Sequence, residues 1–175
     1  MNRTNAVGPP DILARAAAGD GPAFDALIGP LIEPAYRLAR TMLGREADAR
    51  DVVQEATLRA WRKIGNLRDG ERVRAWYLAI VVNQCRSWRR TRWWSVLTTA
   101  DTRSADDRAG WEATELRQAI QALAPSDRAA IYLHFYLDLT VEEVAEALRV
   151  SPSAARSRIY RAVGRIRPDF DPEGL

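Results

Sequence analysis

Two helix start signals lie close together near the carboxyl end of the chain, and they constrain its fold more than any other feature. Thr140 is followed three residues later by Glu143, the spacing of a capping box, in which each side chain binds a backbone N–H at the start of a helix. Ser151 followed by Pro152 is a second start signal, because serine caps helices and proline fits the first helical position. The sequence therefore predicts two short helices joined by a tight turn at residues 148–150.

The two predicted helices differ sharply in charge. The first carries Glu142, Glu143 and Glu146, whereas Ser151–Arg167 holds five arginines and no acidic residue. A helix-turn-helix lays its second helix in the DNA major groove, with basic flanks on the phosphates, so the second helix is predicted to face DNA. Because the turn lacks glycine, we expect Arg149 to take a left-handed conformation at a cost of about 1 kcal/mol. An ordinary helical hairpin with a solvated basic face is the alternative.

Length and composition set the class of protein. A chain of 175 residues with 47% hydrophobic residues has room for one ordinary domain or two small ones. No apolar run approaches the roughly 20 residues that span a bilayer, and the amino-terminal residues lack the apolar core of a signal peptide. We therefore expect a cytoplasmic protein with no membrane insertion.

The sequence offers little for catalysis or metal binding. Cys85 is the single cysteine and His134 the single histidine, so a zinc site would need carboxylates as well. His134 lies between apolar neighbours, the usual setting of a structural histidine, and no nucleophile with a base partner is in view. We expect no cofactor, no metal and no enzymatic activity.

The rest of the chain predicts helix after helix, with no alternating strand and no internal repeat, so the fold class is all-α. In the second helix, Pro30 and Pro34 are expected to cause a kink or a short break. Asp48 is expected to cap the third helix and Ser126 the helix that follows Pro125. The predicted helices are 10–19, 22–43, 48–63, 71–92, 111–123, 126–138, 140–148 and 151–167, with a loop at 65–70 and a polar linker from residue 95 to residue 110.

The fourth helix is the second place where positive charge and aromatic residues alternate. Between Arg72 and Trp94 there are six arginines, four tryptophans and no acidic residue. Helical spacing places Trp76 and Trp88 on the inward face. The polar residues predicted to remain outside are Asn83, Arg86, Ser87, Arg89 and Arg90. Such a surface is typical of proteins that bind a phosphate backbone and stack unpaired bases, although a plain solvated face has the same pattern.

Four stretches resemble the extracytoplasmic-function (ECF) group of bacterial RNA polymerase sigma factors. They read DARDVVQEATLRAWR at 48–62, VRAWYLAIVVN at 73–83, LAPSDR at 123–128 and VSPSAARSRIYRA at 150–162. The similarity runs in order over roughly residues 11–167, so it is more specific than a helix-turn-helix alone. Ser87, where many relatives carry an acid, and the 65–72 loop depart from the usual pattern.

The resemblance implies two small helical domains, sigma domain 2 and sigma domain 4. Residues 11–94 would bind core polymerase and open the −10 promoter element, and residues 113–168 would read the −35 element with the helix-turn-helix. Residues 95–112 would be a flexible linker, similar to the segment that threads the active-site and RNA-exit path. The implied partners are core RNA polymerase (its beta-prime clamp helices and beta flap), promoter DNA and an anti-sigma protein.

The resemblance also assigns residues to each contact. Recognition of the −35 duplex falls to Ser153, Arg156, Ser157, Tyr160 and Arg161. Strand opening at the −10 element falls to Arg72, Asn83, Arg86, Ser87, Arg89 and Arg90, beside a 65–72 loop that would hold a flipped base. Docking on the clamp helices falls to Asp51, Gln54, Glu55 and Arg59.

One alternative function remains open at this stage. A helix-turn-helix transcriptional regulator, with its amino-terminal helices sensing a ligand or forming a dimer, explains the same carboxyl-terminal pattern. It leaves the basic fourth helix without a role. Promoter-specific transcription from purified core polymerase separates the two functions, because a regulator gives none without another sigma factor.

Overall fold

The computed structural model describes residues 9–96 and 118–166, with side chains described for 12–91 and 118–166. Every regular element within these ranges is helical, which confirms the all-α prediction. The predicted linker lies outside the described residues, except for positions 95 and 96, which continue a helix.

Four helices and two short turns make up the first unit. The helices are α1 (Pro9–Ala17), α2 (Gly21–Leu43), α3 (Glu46–Lys63) and α4 (Val73–Val96), and the 3₁₀ turns Ile64–Asn66 and Gly70–Arg72 join α3 to α4. The second unit contains a helical segment at 118–122, then α5 (Pro125–Ile131), which continues as a π-helical turn (Tyr132–Tyr136), α6 (Val141–Leu148) and α7 (Pro152–Ile166).

Local signals explain where α2 begins and ends. The Asp20 carboxylate accepts a hydrogen bond from the Ala23 N–H, and Gly44 closes the helix in the left-handed region at φ 79°. Pro30 and Pro34 lie inside this helix, which nevertheless runs from Gly21 to Leu43 without the predicted break. Apolar side chains from both sides of the prolines are buried in the bundle, and their packing stabilises the helix against the hydrogen bonds that proline removes.

Two helix starts differ from the sequence prediction. The third helix begins at Glu46, two residues before Asp48, after Arg45 in extended conformation with no side-chain cap. Glu46 and Asp48 instead lie in its first turn, where acidic side chains interact favourably with the helix dipole. Likewise α5 begins at Pro125 after Ala124, so Ser126 is not its cap. In both cases a residue that fits the first turn starts the helix without a capping side chain.

The core runs through both units. Helix α2 packs against α1, α3 and α4, while α5 and α6 pack against α7. Across the units, α4 contacts α6 and α2 contacts α5. Among the described residues, apolar side chains of both units belong to one continuous buried cluster. The two units therefore lie in direct contact, an arrangement that the sequence did not predict.

Candidate nucleic-acid interface

The helix-turn-helix forms as its sequence signals predict. The Glu143 N–H donates to Thr140 Oγ1 at 3.2 Å, and the Thr140 N–H donates to Glu143 Oε2 at 2.8 Å, so both halves of the capping box are present. Arg149 ends α6 with φ 52°, the left-handed conformation expected of a turn without glycine. Ser151 Oγ then accepts the Ala154 N–H at 3.2 Å at the start of α7.

Helix α7 separates a buried face from a polar one. Ala155, Ile159 and Ala162 are buried against the rest of the second unit. Four of the five residues assigned to duplex recognition are exposed, namely Ser153, Arg156, Ser157 and Arg161, and Tyr160 is half-buried. The structure thus brings the whole predicted set together on the outer side of one helix, in a shape that fits a major groove.

The predicted strand-opening residues of α4 are less accessible than their sequence pattern suggests. Arg89 and Arg90 are exposed, but Asn83, Arg86 and Ser87 are half-buried. Their expected position outside the fold is therefore wrong for these three. The physical reason is that α6 packs against α4, with Arg86 bonded to the carboxyl end of α6. Asn83 Nδ2 also donates to the Ala79 carbonyl one turn earlier, at 2.7 Å.

Two arginines of this set bind the second unit. Arg72 Nη2 lies 2.5 Å from Glu146 Oε2, and the hydrogen bond to that carboxylate raises the pKa of Arg72. Arg86 Nη1 donates to the Leu148 carbonyl at 2.8 Å, at the end of α6. Burial lowers the pKa of Arg86, and the neighbouring charges of Arg158 and Arg149 lower it further.

The loop before α4 is built on a side-chain cap. Asp69 Oδ1 accepts the Glu71 N–H at 3.0 Å and so starts the 3₁₀ turn Gly70–Arg72. Asn66 and Arg68, beside it, are exposed. The loop thus presents polar side chains to solvent at the start of the basic helix.

The surface assigned to core polymerase lies on α3 of the first unit. Asp51, Gln54 and Arg59 are exposed on α3, and Arg59 Nε lies 2.8 Å from Glu55 Oε1, one turn away and half-buried. Of these four residues, only Gln54 lines the adjacent groove.

That groove runs between α2 and α3. Its volume is about 640 Å³, and its walls are Ile32, Glu33, Tyr36, Glu46, Arg50, Val53, Gln54, Thr57 and Leu58. Ile32 is 36% exposed and Leu58 45% exposed, which is unusual for large apolar side chains of a folded helix. Leu58 was not among the functional residues predicted from the sequence. The sequence signal that could have identified Leu58 is its position as an apolar residue on the charged face of an amphipathic helix.

His134 makes a local contact within the second unit. The Nδ1 atom of the His134 ring lies 2.8 Å from the Leu139 carbonyl, a contact that links the π-helical turn to the segment before α6. This placement is that of a structural histidine.

In the described part of the chain, no helix combines the length and apolar character that a membrane span requires.

Comparison with known sequence families identifies both units. The family described as Sigma-70 region 2 matches residues 27–95, and the family described as Sigma-70, region 4 matches residues 113–166. The ECF RNA polymerase sigma factor SigM of Mycobacterium tuberculosis is 31% identical over 159 residues, which cover 89% of this chain and 81% of SigM. The RNA polymerase sigma factor SigV of Bacillus subtilis is 28% identical over 143 residues, 80% of this chain and 86% of SigV.

Two solved structures share the arrangement of helices. CnrH, solved in complex with the cytosolic domain of CnrY, superposes with a TM-score of 0.68 at 26% identity, covering 90% of this chain and 93% of CnrH. The sigma factor RpoE of Bartonella quintana, solved with the anti-sigma factor NepR, gives a TM-score of 0.74 at 21% identity, covering 83% of this chain and 94% of RpoE.

Proposed function

Because the chain belongs to the ECF group of RNA polymerase sigma factors, we propose that its three surfaces divide the work of transcription initiation. Residues 113–168 read the −35 element, residues 11–94 open the −10 element and hold the polymerase, and residues 95–112 link them. The observation that carries this division is the pair of arginine-bearing helices α4 and α7, one in each unit.

Helix α7 is the reading helix for duplex DNA. The exposed side chains of Ser153, Arg156 and Ser157 lie in its first turns, the part of a recognition helix that reaches base edges. Arg156 and Arg161 supply guanidinium groups for guanine edges or phosphates. Tyr160 is half-buried, so it supports the helix from its flank and has a smaller share of direct contact.

Helix α4 and the loop before it hold the separated strand. Arg89 and Arg90 are exposed and can contact phosphates. The side-chain nitrogen of Asn83 donates to the Ala79 carbonyl, and this bond does not use the amide oxygen of Asn83. Arg86 and Ser87 on the same helix, and Arg72 in the turn just before it, complete this surface. Stacking an unpaired base on aromatic or guanidinium planes is worth roughly 1 to 3 kcal/mol, enough to offset part of the cost of opening a base pair.

The groove between α2 and α3 receives the clamp helices of the polymerase beta-prime subunit. Exposed apolar side chains at its walls, Ile32 and Leu58, match the apolar stripe of an amphipathic helix. Gln54 in the groove and Asp51, Glu55 and Arg59 beside it provide polar contacts at the rim. The second unit is proposed to meet the beta flap.

An anti-sigma protein is the proposed regulator, since the sigma factor RpoE of Bartonella quintana was solved with one and CnrH with the cytosolic domain of CnrY. The chain is proposed to act in the cytoplasm as a non-catalytic specificity subunit. The polymerase active site performs the chemistry, and this chain selects and opens the DNA.

Reconstituted transcription tests the proposal. Purified chain is mixed with core polymerase and genomic DNA fragments of the source organism, and the 5′ ends of the transcripts are sequenced. We expect initiation at a set of sites that share −35 and −10 sequences and that disappear without the chain. If the chain neither binds core polymerase nor directs initiation without another sigma factor, it is a regulator and the proposal is overturned.

A further inference from the structure

Three arginines from different elements meet beside the turn between α6 and α7. Arg86 of α4 donates through Nη1 to the Leu148 carbonyl at 2.8 Å, which places its guanidinium group against this turn. Arg149 is the next residue of the turn, and Arg158 lies on α7. Burial lowers the pKa of Arg86, and the positive charges of Arg158 and Arg149 lower it further, so both charges lie close to it.

Two more arginines extend this group toward α5. Arg89 follows Arg86 by three residues, so the two share one side of α4. Burial lowers the pKa of Arg128 on α5, and the positive charge of Arg89 lowers it further. These five residues form the junction cluster, namely Arg86, Arg89, Arg128, Arg149 and Arg158.

Among the described residues, the junction cluster lacks an acidic partner. Residues 72–96 and 149–166 contain no acidic residue. Glu146, the last acid of α6, is paired with Arg72 instead. Asp127 of α5 is buried, and no carboxylate is among the groups that shift the pKa of Arg86 or Arg128. Like charges this close repel each other, so an anion that enters the cluster relieves the repulsion.

The cluster also has N–H groups that an anion can use. Arg128 Nη1 donates to Gln121 Oε1 at 2.7 Å, but the Arg128 Nε–H is buried and has no hydrogen-bond partner within the described part of the chain. Arg86 uses one N–H in its bond to Leu148, out of the five that a guanidinium group carries. Arg149 is exposed, so a small anion can reach the cluster from solvent.

We propose that the junction cluster is a binding site for a small anion with a chain of two or three phosphates, as a nucleotide or inorganic polyphosphate carries. Phosphate oxygens suit this set because guanidinium groups bind them through paired, charge-assisted hydrogen bonds. A phosphate chain presents several negative charges in a row, and the cluster presents positive charges from α4, α5, α7 and the α6–α7 turn. The bound anion replaces repulsion among the arginines with attraction, so it stabilises the folded chain.

The site is separate from the recognition face of α7. Successive residues of an α-helix are about 100° apart, so Arg158 lies about 160° around α7 from Arg156. Arg158 is half-buried and acts on Arg86 of the first unit, whereas Arg156 is exposed. Arg86 and Arg89 are shared with the proposed strand-opening surface. Substitutions at Arg149 and Arg158 therefore test the anion site without changing any residue assigned to the promoter.

Isothermal titration calorimetry of the full chain with inorganic tripolyphosphate tests the site, in the absence of magnesium and at constant ionic strength. We expect saturable binding of one tripolyphosphate per chain. Arg149→Gln and Arg158→Gln should each weaken this binding at least about fivefold, since each removes a guanidinium group. Arg62→Gln removes the same charge from an exposed position of α3 and should leave the affinity unchanged. Absence of saturable binding to wild type, or equal weakening by all three substitutions, overturns the proposal.

Thermal unfolding gives a second measurement on the same proteins. Tripolyphosphate should raise the Tm of wild type, because a ligand that binds only the folded chain stabilises it. The Arg149→Gln/Arg158→Gln double variant should show a smaller rise, and circular dichroism checks that it is folded. If potassium chloride at equal ionic strength raises the Tm of wild type as much as tripolyphosphate does, general screening accounts for the effect and the proposal fails.

Two further titrations identify the source of the phosphates. ATP that binds more tightly than tripolyphosphate assigns the site to a nucleotide, whereas equal or weaker binding assigns it to inorganic polyphosphate, and either result supports the site. A short oligothymidylate, followed by fluorescence anisotropy, should lose little affinity in Arg149→Gln and Arg158→Gln. If it loses as much as tripolyphosphate does, these arginines bind DNA phosphates and the small-anion site is overturned.

Discussion

The hydroxyl oxygens of Thr57 and Tyr77 lie 2.8 Å apart, across the contact between α3 and α4. Thr57 Oγ1 also donates its proton to the Val53 carbonyl at 2.8 Å, so Tyr77 is the donor in the pair. Tyr77 is fully buried, and burial raises its pKa. The bond therefore holds together the two helices of the first unit whose outer faces are proposed to bind polymerase and DNA.

Replacing Tyr77 with Phe removes this donor and keeps the ring. We expect the free energy of unfolding to fall by about 1 kcal/mol, the usual net contribution of an intramolecular hydrogen bond. Urea unfolding followed by circular dichroism measures it. Thr57→Ser keeps the acceptor and should change stability less than Tyr77→Phe does. Equal stability of Tyr77→Phe and wild type would show that the bond contributes nothing.

The thiol of Cys85 makes stability depend on alkaline pH. Burial raises the pKa of Cys85 from 9.0 to about 12, so above pH 9 the unfolded chain loses a proton that the folded chain keeps. Stability is therefore fully present below pH 9 and falls as the pH rises toward 12. Between pH 9 and pH 10 we expect wild type to lose about 1 kcal/mol more stability than Cys85→Ala loses. Parallel urea titrations of the two proteins at these pH values decide the matter.

Arg149 adopts a left-handed conformation, with φ 52°, at the end of α6. This conformation has a steric cost that lowers the stability of the folded chain. Arg149→Gly should raise the free energy of unfolding by about 1 kcal/mol relative to Arg149→Ala, because glycine adopts this conformation without steric cost. The alanine variant is the matched control, since both substitutions remove the same charge. Thermal unfolding of the two variants side by side gives the difference. A less stable glycine variant would contradict the assignment of strain to this turn.

The sequence predicted helix caps and turns in which both interacting residues lie within a few positions of each other. Thr140 and Glu143 form the predicted capping box, and Ser151 caps α7. Arg149 takes the predicted left-handed turn. Asp48 and Ser126 show the limit of such signals, because a capping residue next to another acceptable first turn does not decide where the helix starts.

Contacts between residues far apart in the sequence could not be predicted from it. Arg72 and Glu146 are 74 residues apart in sequence, and nothing in the local pattern of either predicts the pair. For the same reason α4 was expected to present Asn83, Arg86 and Ser87 to solvent, whereas all three are half-buried and Arg86 bonds to α6. Hydrophobic periodicity identifies which face of a helix is buried within its own unit. It does not reveal that a polar face with small residues such as Ala79 is covered by another unit.

Reversing two charges on α7 should separate DNA reading from polymerase binding. Arg156→Glu/Arg161→Glu places two negative charges on exposed positions of the recognition helix. We expect loss of −35 duplex binding by at least about a hundredfold, since each contact of this kind is worth roughly 1 to 3 kcal/mol. Affinity for core polymerase should change little. Electrophoretic mobility shift with promoter duplexes from the transcription experiment measures the first quantity, and pull-down of core polymerase measures the second.

Arg165→Glu is the control for these charge reversals. Arg165 is exposed in the last turn of α7, one turn beyond Arg161 and farther from the first turns of the helix, which are expected to reach base edges. This variant should weaken duplex binding mainly through lost phosphate attraction and should keep sequence preference. Simultaneous loss of DNA and polymerase binding in the double variant would indicate misfolding or a wrong assignment of α7.

The apolar groove between α2 and α3 is proposed to bind core polymerase, and a charge at its wall should weaken that binding. Leu58 is 45% exposed at its wall, so Leu58→Asp introduces a charge where a partner helix is proposed to bury apolar surface. We expect affinity for core polymerase to fall by at least about tenfold, because a buried unpaired carboxylate in an interface costs several kcal/mol. Folding stability should change little at so exposed a position. Arg62→Glu, exposed on the same helix but outside the groove, is the matched control and should retain binding. Fluorescence titration of labelled core polymerase measures both variants, and equal loss in the two would mean that general charge, rather than the groove, determines docking.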